Sequence, residues 1–303
     1  MKLACVTGGS GLIGRHLVPM LLAAGYGVRA LVRTLPAAPT PGVEYFLGDI
    51  TNAATLAPFL DSANVVFHSA AELHQESSMW AVNVTGTENL VLASKAAAVE
   101  HFCFFSSAGV VGLSSKTCVS EDSDCSPRNA YERSKLAAEK IVLASWAPGK
   151  LIILRPTNVV DDTRSDVMFQ AHRGSISDWL KFFFKGGECA HLVHAADVAA
   201  ASLYLITKGN ISYGACFFVS CDQDENNYFS RLWSMARRRD SSGKKSWLPH
   251  LPIIVPYIIR ALFGRRANKG NVKYSSERLA SAGFIYTYTV EKMMLAFCER
   301  IER

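Results

Sequence analysis

The sequence predicts an α/β fold in which a doubly wound parallel sheet is accompanied by a smaller C-terminal lobe. Short apolar runs alternate along the first half of the chain with segments whose apolar residues recur at helical spacing, a pattern typical of helices crossing between parallel strands. Some runs, such as Phe-Cys-Phe-Phe at 102–105, are apolar without interruption, as expected for strands covered on both faces. With 303 residues, 49% of them hydrophobic, the chain is long enough to bury a large core.

The predicted elements follow from this alternation. Strands are expected at 2–6, 28–33, 43–50, 65–71, 102–105, 151–156 and 216–219. Helices are expected at 15–24, 51–60, 80–98, 131–144 and 194–207. The alternation ends after Pro156, and residues 157–190 are predicted to be irregular. We therefore predict one domain at 1–156 and a second at 157–303, some of whose elements return to the main sheet.

A glycine loop joins the first predicted strand to the first predicted helix. Its glycines, Gly8, Gly11 and Gly14, are spaced one residue more loosely than in the usual G-x-G-x-x-G dinucleotide fingerprint. Backbone N–H groups in such a loop can approach a diphosphate closely, and the helix dipole adds partial positive charge, so the loop predicts a dinucleotide site. The alternative is a tight turn alone, which the flanking strand and helix argue against. The loop residues expected to contact the dinucleotide are Thr7, Gly8, Gly9, Ser10, Gly11, Leu12, Ile13 and Gly14.

Further cofactor contacts are expected where the other strands end, because ligands of doubly wound sheets bind at the carboxyl ends of strands. Arg33 closes the second strand, and no acid follows before Glu44. A cation there favours the 2′-phosphate of NADP over the ribose 2′-hydroxyl of NAD, unless Arg33 only faces solvent. Asp49 is expected to hold the adenine amino group or to form a turn. The remaining expected contacts are Ile50, Ser69, Ala70, Ala71, Tyr131, Lys135 and Pro156.

Ser107, Tyr131 and Lys135 form the candidate catalytic group. A hydride transfer at carbon requires a partner that gives or takes the proton on oxygen. Tyr131 and Lys135 lie four residues apart at the start of a predicted helix, and therefore on one face. The lysine is expected to lower the tyrosine pKa from about 10 towards neutrality and to hydrogen-bond the nicotinamide ribose. Ser107 is expected to donate to the substrate carbonyl oxygen.

The Tyr-x-x-x-Lys spacing does not select this pair by itself, because it occurs three times. The pairs are Tyr131 with Lys135, Tyr204 with Lys208, and Tyr288 with Lys292. The first alone follows a strand that ends in serine and precedes another buried strand. The other two are therefore predicted to lie on helix surfaces.

The net charge of +6 is unevenly distributed along the chain. Residues 237–273 carry ten Lys or Arg against one acid, a net charge of +9, which leaves −3 for the remainder. We expect this segment to bind a phosphorylated substrate or an anionic membrane face, or else to be a solvated surface. Nucleic acid is not expected as a partner, because aromatic residues are not interleaved with these charges. The apolar stretch 247–263, interrupted by prolines, is expected to pack against the lobe; the alternative is a hairpin resting on a membrane.

The eight cysteines show neither a C-x-x-C pair nor zinc-ligand spacing with histidine. No metal site is therefore expected. The cysteines are expected to be free thiols, several of them buried, in a reducing cytoplasm. No secretory signal is expected ahead of the glycine loop, since the apolar run there is short and belongs to the first strand.

The chain resembles the extended short-chain dehydrogenase/reductases, which include the NAD(P)-dependent sugar epimerases and dehydratases. The matching motifs, in family order over about residues 1–200, are TGGSGLIG at 7–14, GDI at 48–50, HSAA at 68–71, NVTGT at 83–87, SSAGVVG at 106–112, YERSK at 131–135, LRPT at 154–157 and HAADVA at 194–199. The resemblance implies a Rossmann-type fold and an NAD(P)-dependent oxidoreductase or epimerase. It implies that Ser107, Tyr131 and Lys135 are catalytic and that Asn83 organises the proton relay. It also implies a homodimer formed through the helices at 80–98 and 131–145.

The resemblance leaves the substrate open. We expect first a nucleotide-sugar that is reduced at a 4-keto group or epimerised. The residues expected near it are Ser107, Ala108, Asn158, Arg231 and Arg237. Dehydration is disfavoured, because Ala108 and Gly109 stand where sugar 4,6-dehydratases carry an acid pair. One alternative is a carbonyl reductase or hydroxysteroid-type dehydrogenase with an apolar substrate, which the stretch 247–263 would suit; another is a sensor or scaffold that binds NADP without turnover.

Overall fold

The computed structural model describes residues 1–302 except 115, 147–148, 209–210, 213, 238–247, 264–267 and 269–270. The chain forms two compact units. Unit 1 comprises Met1–Gly112, Pro127–Pro156 and Val198–Phe217, and unit 2 comprises Leu113–Ser126, Thr157–Asp197 and Phe218–Arg303. The chain leaves unit 1 after Pro156, where the sequence places the domain boundary, but 113–126 belongs to unit 2 and 198–217 belongs to unit 1.

The strands are numbered in chain order. They are β1 Leu3–Thr7, β2 Gly27–Val32, β3 Val43–Leu47, β4 Val65–His68, β5 His101–Phe105, β6 Cys118–Val119, β7 Lys150–Pro156, β8 Asn158–Val160, β9 Leu192–His194, β10 Ala215–Val219 and β11 Lys273–Tyr274. The main sheet has the order β10-β7-β5-β4-β1-β2-β3, and β6 with β11 and β8 with β9 form two small sheets. The main-sheet pairs from β7 to β3 are all parallel, which confirms the predicted doubly wound α/β fold.

The helices are also numbered in chain order. They are α1 Gly14–Ala23, α2 Leu56–Phe59, α3 Glu76–Trp80, α4 Gly86–Ala96, α5 Ala130–Ser145, α6 Asp166–Arg173, α7 Ile176–Lys185, α8 Ala195–Thr207, α9 Phe229–Ala236, α10 Ile254–Leu262, α11 Glu277–Ser281 and α12 Val290–Ile301. The single helix predicted at 80–98 is divided, because a π-helical turn at Ala81–Thr85 separates α3 from α4. Short 3₁₀ turns occupy Ala53–Thr55 and Ala108–Val111.

The core of unit 1 lies against the apolar strands of the sheet. Phe102 and Phe104 of β5 are fully buried, and the Phe102 ring packs on Trp146, which follows α5. Lys150, at the start of β7, donates through Nζ to the carbonyls of Leu205, Ile206 and Lys208 at the end of α8. A cation at the C-terminal end of a helix is favourable, so Lys150 holds this end of α8 against the sheet.

Unit 2 is more regular than the sequence suggests. The prediction that 157–190 is irregular is wrong, since the segment contains β8, α6 and α7. Each helix begins with a serine whose hydroxyl accepts a backbone N–H: Ser165 from Met168, and Ser175 from Asp178 in a complete capping box. The buried Phe182 of α7 packs on Phe229 and Trp233 of α9, at the centre of a second hydrophobic core.

Candidate active site

Unit 1 brings Ser107 and Tyr131 together. Ser107 follows β5 and begins the 3₁₀ turn, where its hydroxyl accepts the Gly109 N–H at 3.1 Å. Asn129 caps α5 by accepting the Glu132 N–H at 2.8 Å, which places Tyr131 in the first helical turn. The Ser107 hydroxyl lies close enough to the Tyr131 phenol to lower its pKa by hydrogen bonding. The two oxygen-bearing groups predicted to act on a substrate therefore meet at the carboxyl end of a central strand.

Burial sets the proton affinity of the tyrosine and the lysine. It raises the pKa of Tyr131 to about 12, although the hydrogen bond with Ser107 acts in the opposite direction. Burial lowers the pKa of Lys135 to about 7, against the smaller effect of the Glu139 carboxylate. Lys135 is 2% exposed, and its Nζ lies 4.3 Å from the centre of the Phe104 ring. The expectation of a lowered tyrosine pKa is thus not met in this structure, because loss of hydration outweighs any effect of the neighbouring cation.

Asn83 acts on the helix that carries Tyr131. It lies in the π-helical turn, and its amide is held by the backbone of Glu72, from whose N–H it accepts at 2.7 Å and to whose carbonyl it donates at 2.9 Å. The same amide donates to the Ser134 hydroxyl at 2.9 Å, and this hydroxyl donates to the Tyr131 carbonyl at 2.8 Å. Asn83 therefore fixes the backbone turn from Tyr131 to Ser134, and π turns are frequent at functional sites.

Two buried charges beside Lys135 were not singled out by the sequence analysis. Arg155 of β7 and Glu139 of α5 form a bidentate pair with distances of 2.9 and 2.7 Å. Glu139 lies one helical turn after Lys135, and its charge raises the pKa of that lysine. The i, i+4 spacing could have indicated from the sequence that Lys135 and Glu139 share a helix face. Only the fold shows that Arg155 pairs with Glu139.

The glycine loop has the shape that a diphosphate requires. Gly8 adopts φ +70°, and a Cβ there would lie 2.7 Å from the Ala70 backbone nitrogen. A Cβ at Gly14 would collide with the Gly8 carbonyl. No side chain caps the start of α1 at Ile13, and no acid lies in its first turn, so the helix N-terminus can accept an anion. The residues present fit a dinucleotide.

The other strand-end residues are placed as follows. Arg33 is exposed just after β2, Ile50 is buried, and Pro156 is buried at the end of β7. Asp49 accepts the Thr51 N–H and hydroxyl at 2.8 Å each, which gives its carboxylate the turn role that the sequence allowed. Ser69 donates to the Thr7 carbonyl at 2.9 Å, and Ala70 and Ala71 follow it, partly exposed.

His68 ties the loop strand to α4. Its ring nitrogens lie 2.7 Å from the Thr7 hydroxyl and 2.9 Å from the Thr87 hydroxyl. The residue is fully buried, and burial lowers its pKa to about 3. A neutral histidine with both nitrogens engaged is a packing residue.

The residues predicted to contact substrate fall in both units. Ala108 is buried in unit 1, whereas Asn158, Arg231 and Arg237 belong to unit 2. Asn158 donates to the Ala190 carbonyl at 2.8 Å, and Arg231 is exposed on α9. Arg237 lies 3.7 Å from the centre of the Trp233 ring and donates to the Ala171 carbonyl of α6 at 2.6 Å. These contacts give Arg237 a packing role; its contact with substrate stays a prediction.

The two other Tyr-x-x-x-Lys pairs behave differently from each other. Lys208 donates to the Tyr204 hydroxyl at 3.1 Å, so this pair forms at the end of α8. Tyr288 precedes α12 and stacks on His194 at 3.7 Å, while Lys292 donates to the Thr287 carbonyl. The prediction of a helix-surface position is therefore wrong for Tyr288.

A polar cluster in unit 2 was not anticipated. The donor atoms of Cys189, His191 and Asp222 lie within 4.8 Å of one another. Asp222 accepts from His191 at 2.6 Å and from the Tyr274 N–H at 2.8 Å. These bonds join the residue before β9 to β11, so we assign the carboxylate a structural role. The cysteines of the chain are all free thiols.

The parallel sheet, the glycine loop and the serine–tyrosine–lysine group together match the class of the extended short-chain dehydrogenase/reductases. The chain matches the model of the NAD dependent epimerase/dehydratase family over residues 4–213. It therefore belongs to this family, as its motifs indicated.

Relatives of known name include steroid enzymes. The human sterol-4-alpha-carboxylate 3-dehydrogenase, decarboxylating, is 28% identical over 241 residues, which cover 73% of this chain and 63% of that protein. The 3 beta-hydroxysteroid dehydrogenase/Delta 5-->4-isomerase of Mycobacterium tuberculosis is 37% identical over 155 residues, 46% of this chain and 41% of that protein. The chain spans about half the length of the curated relatives it matches.

Solved structures show the same fold over the whole chain. The Bordetella bronchiseptica enzyme WbmG, in complex with NAD and UDP, has a TM-score of 0.77 at 19% identity and covers 98% of this chain and 95% of its own. Among the described residues, no helix is both long and apolar enough to cross a membrane.

Proposed function

We propose that the protein is an NAD(P)-dependent oxidoreductase that interconverts a carbonyl group and a secondary alcohol, with Tyr131 as the proton donor. The observation that carries the proposal is the juxtaposition of the Tyr131 and Ser107 hydroxyls, one helical turn from the buried Lys135. Bound in the glycine loop, the reduced cofactor would supply hydride to the carbonyl carbon. The side chains of this chain would donate the proton to the substrate oxygen and then replace it.

The proton affinities fit the direction of reduction. A pKa of about 12 keeps the Tyr131 phenol protonated at neutral pH, so it can donate to an oxygen on which negative charge develops. Ser107 offers a second hydroxyl to the same oxygen. Lys135, with a pKa of about 7, exchanges protons readily near neutrality and is suited to restore the proton of the phenol. Asn83 and Ser134 are positioning residues, since they hold the turn on which Tyr131 lies.

An apolar ketone or alcohol is the first candidate substrate. Sequence similarity supports it, because steroid dehydrogenases match at up to 37% identity, whereas the UDP-bound structure matches at 19%. Arg237, expected from the sequence to hold a diphosphate, donates instead to the Ala171 carbonyl and lies on Trp233. The nucleotide-sugar, placed first by the sequence, is the second candidate, and the complex of WbmG with UDP supports it.

Ligand-induced stabilisation separates these candidates. A ligand at about 100 times its dissociation constant raises the free energy of unfolding by about 2.7 kcal/mol. With NADPH present, a steroid ketone is expected to raise the melting temperature and UDP-glucose is not. The opposite result would make the nucleotide-sugar the substrate class, and stabilisation by NADPH without turnover of either would favour a sensor.

Tyr131→Phe tests the chemistry. The variant keeps the ring but loses the proton, and general acid catalysis is worth about 10²–10⁴ in rate, so NADPH oxidation should fall at least about 100-fold while cofactor binding is unchanged. Tyr204→Phe is the matched control, because Tyr204 belongs to another Tyr-x-x-x-Lys pair. Turnover that survives Tyr131→Phe, or falls equally in the control, would exclude the mechanism.

We propose NADP rather than NAD as the preferred cofactor. Arg33 is exposed at the end of β2, and the sequence has no acid there to bind a ribose hydroxyl. Arg33→Asp should lower kcat/KM for NADPH at least about tenfold and improve that for NADH, because a charge contact with phosphate is lost and a ribose acceptor is gained. An unchanged ratio of the two values would show that Arg33 does not select the cofactor.

A cytoplasmic homodimer completes the proposal. Leu92 of α4 and Leu143 of α5 are exposed on the two helices through which the family resemblance implies pairing. Sedimentation equilibrium of the purified chain measures the state directly, and a monomer would refute this part alone.

A further inference from the structure

Two neighbouring helices of unit 2 carry apolar stripes that face away from the core. On α7, Ile176, Trp179, Leu180 and Phe184 recur at i, i+3, i+4 and i+8, the spacing of a buried face, yet all four are exposed. The core-facing residue of this helix is Phe182. An amphipathic stripe normally marks the side of a helix that is removed from water.

Helix α10 repeats the arrangement. Ile254, Ile258 and Leu262 lie at i, i+4 and i+8 and are exposed, as is the following Phe263, with Leu262 80% and Phe263 79% accessible. Its buried residue is Pro256. The expectation that 247–263 packs against the lobe is met in part, because Leu248 and Pro256 are buried while the apolar stripe of α10 is exposed; Trp247 lies outside the described residues.

Helix α7 and the segment that contains α10 contact each other. The Leu251 N–H donates to the Phe183 carbonyl at 3.1 Å, and Arg260 of α10 pairs with Glu188, just beyond α7, at 2.6 Å. Their exposed side chains form what we call the α7/α10 face, consisting of Ile176, Trp179, Leu180, Phe184, Ile254, Ile258, Leu262 and Phe263. An apolar patch of this extent on an otherwise well-packed unit marks an interaction site.

The charged residues of α7, α10 and the segment around α10 are mainly basic, and the acids Asp178 and Glu188 are both paired with arginines. The acid on these helices, Asp178, is buried in a capping box and paired with Arg173 at 2.8 Å. The cations are Lys181, Lys185 and Arg260. The segment 237–273, which contains α10, has a net charge of +9, although 238–247, 264–267 and 269–270 lie outside the described residues. Apolar side chains with basic neighbours complement an anionic lipid surface, whereas a second copy of this chain would bring like charge against like.

We propose that the α7/α10 face is a peripheral membrane-binding surface that inserts its apolar side chains among the headgroups of anionic phospholipids. Helix α10 has nine residues, too few to cross a hydrocarbon core that needs about 20, so it lies in the plane of the surface. Trp179, stacked on Phe183 at 5.2 Å, has the ring type favoured at the lipid–water boundary. Lys181 is partly exposed on α7 and can extend its ammonium group to a lipid phosphate. This inference does not depend on the proposed reaction.

Vesicle sedimentation of the full-length chain tests the proposal. The protein should bind phosphatidylcholine vesicles containing about 30% phosphatidylserine, bind pure phosphatidylcholine more weakly, and lose affinity about fivefold or more in about 0.5 M NaCl. Brominated acyl chains should quench tryptophan fluorescence in the native chain and less in Trp179→Phe, which keeps an aromatic ring but loses the reporter.

Variants on two helices of the same unit supply the contrast. Ile258→Asn with Leu262→Asn should lower the partition coefficient at least about tenfold, because two buried aliphatic groups are lost from the lipid phase. Leu295→Asn with Ile301→Asn, both exposed on α12, should bind like the native chain. Circular dichroism melts of both pairs establish that they fold.

Three results would overturn the proposal. Absence of sedimentation with anionic vesicles is one, and equal binding by the two double variants is another. The third is a dimer in vesicle-free buffer that the Ile258/Leu262 variant dissociates, since the face would then join two copies of the chain.

Discussion

Lys135 shows how one buried residue links the stability of this protein to pH. Its pKa is lowered from 10.5 to about 7 by burial, so between these values the unfolded chain binds a proton that the folded chain does not. Stability from this group therefore rises with pH through that window and is lowest below about pH 7, where the ammonium is buried. The ring of Phe104 and the charge of Glu139 offset part of the cost.

Lys135→Met should be inactive but more stable near neutral pH. Methionine fills a similar volume without a charge, so we expect a gain of about 1–2 kcal/mol in the free energy of unfolding at about pH 6.5, shrinking as the pH approaches 10. Urea unfolding of both proteins at several pH values measures it. If the free energy of unfolding changed with pH in the same way for both proteins, the pKa of Lys135 would not be lowered towards 7.

At the scale of elements, α5 and β7 are joined by a buried ion pair. Glu139 and Arg155 have side-chain exposures of 3% and 9%, and two hydrogen bonds connect them. The pair holds the helix of Tyr131 and Lys135 against the sheet. Because two charges give up water to form it, the pair matters more for placement than for net stability.

Replacing one residue of this ion pair should lower the free energy of unfolding more than replacing both residues. Glu139→Gln removes the carboxylate partner of a buried guanidinium and is expected to cost about 3–5 kcal/mol, whereas Glu139→Met with Arg155→Met should cost far less. Glu139→Gln should also lower the pKa of Lys135 further, since the carboxylate raises it. Denaturant midpoints of the native chain, Glu139→Gln and the double variant test the order, and a double variant at least as unstable as Glu139→Gln would contradict it.

Helices α6 and α7 show a limit of periodicity. Ser175 and Asp178 form a capping box, a motif that is recognisable from the sequence alone. The stripe from Ile176 to Phe184 has ideal spacing as well, yet it faces outward. The pattern indicates that a helix has an apolar side, but which side meets the core depends on Phe182 finding Phe229 and Trp233, which are distant in sequence.

On the scale of the whole molecule, both units are assembled from separate segments of chain. Residues 198–217 return to unit 1 after the chain has entered unit 2, and they bring most of α8 and the start of β10, which neighbours β7 in the sheet. Without them β7 becomes an edge strand with unpaired backbone groups.

A fragment of residues 1–156 should therefore fail to unfold cooperatively, whereas residues 1–217 should give a cooperative transition. The shorter fragment lacks the strand beside β7 and the helix end that Lys150 binds. Thermal melts followed by near-ultraviolet circular dichroism compare the two. A cooperative melt of 1–156 at the same temperature as 1–217 would show that unit 1 does not need the returning segment.

The sequence by itself determined the parallel α/β sheet, the glycine loop and the family, because these depend on patterns within a few tens of residues: apolar alternation, turn glycines and short motifs. It named Ser107, Tyr131 and Lys135 for the same reason. Only the tertiary structure decided the proton affinities of these groups, the Asn83–Ser134 clamp, the Arg155–Glu139 pair and the outward face of α7 and α10. Burial and partners depend on segments far apart in the chain, and no local pattern encodes them.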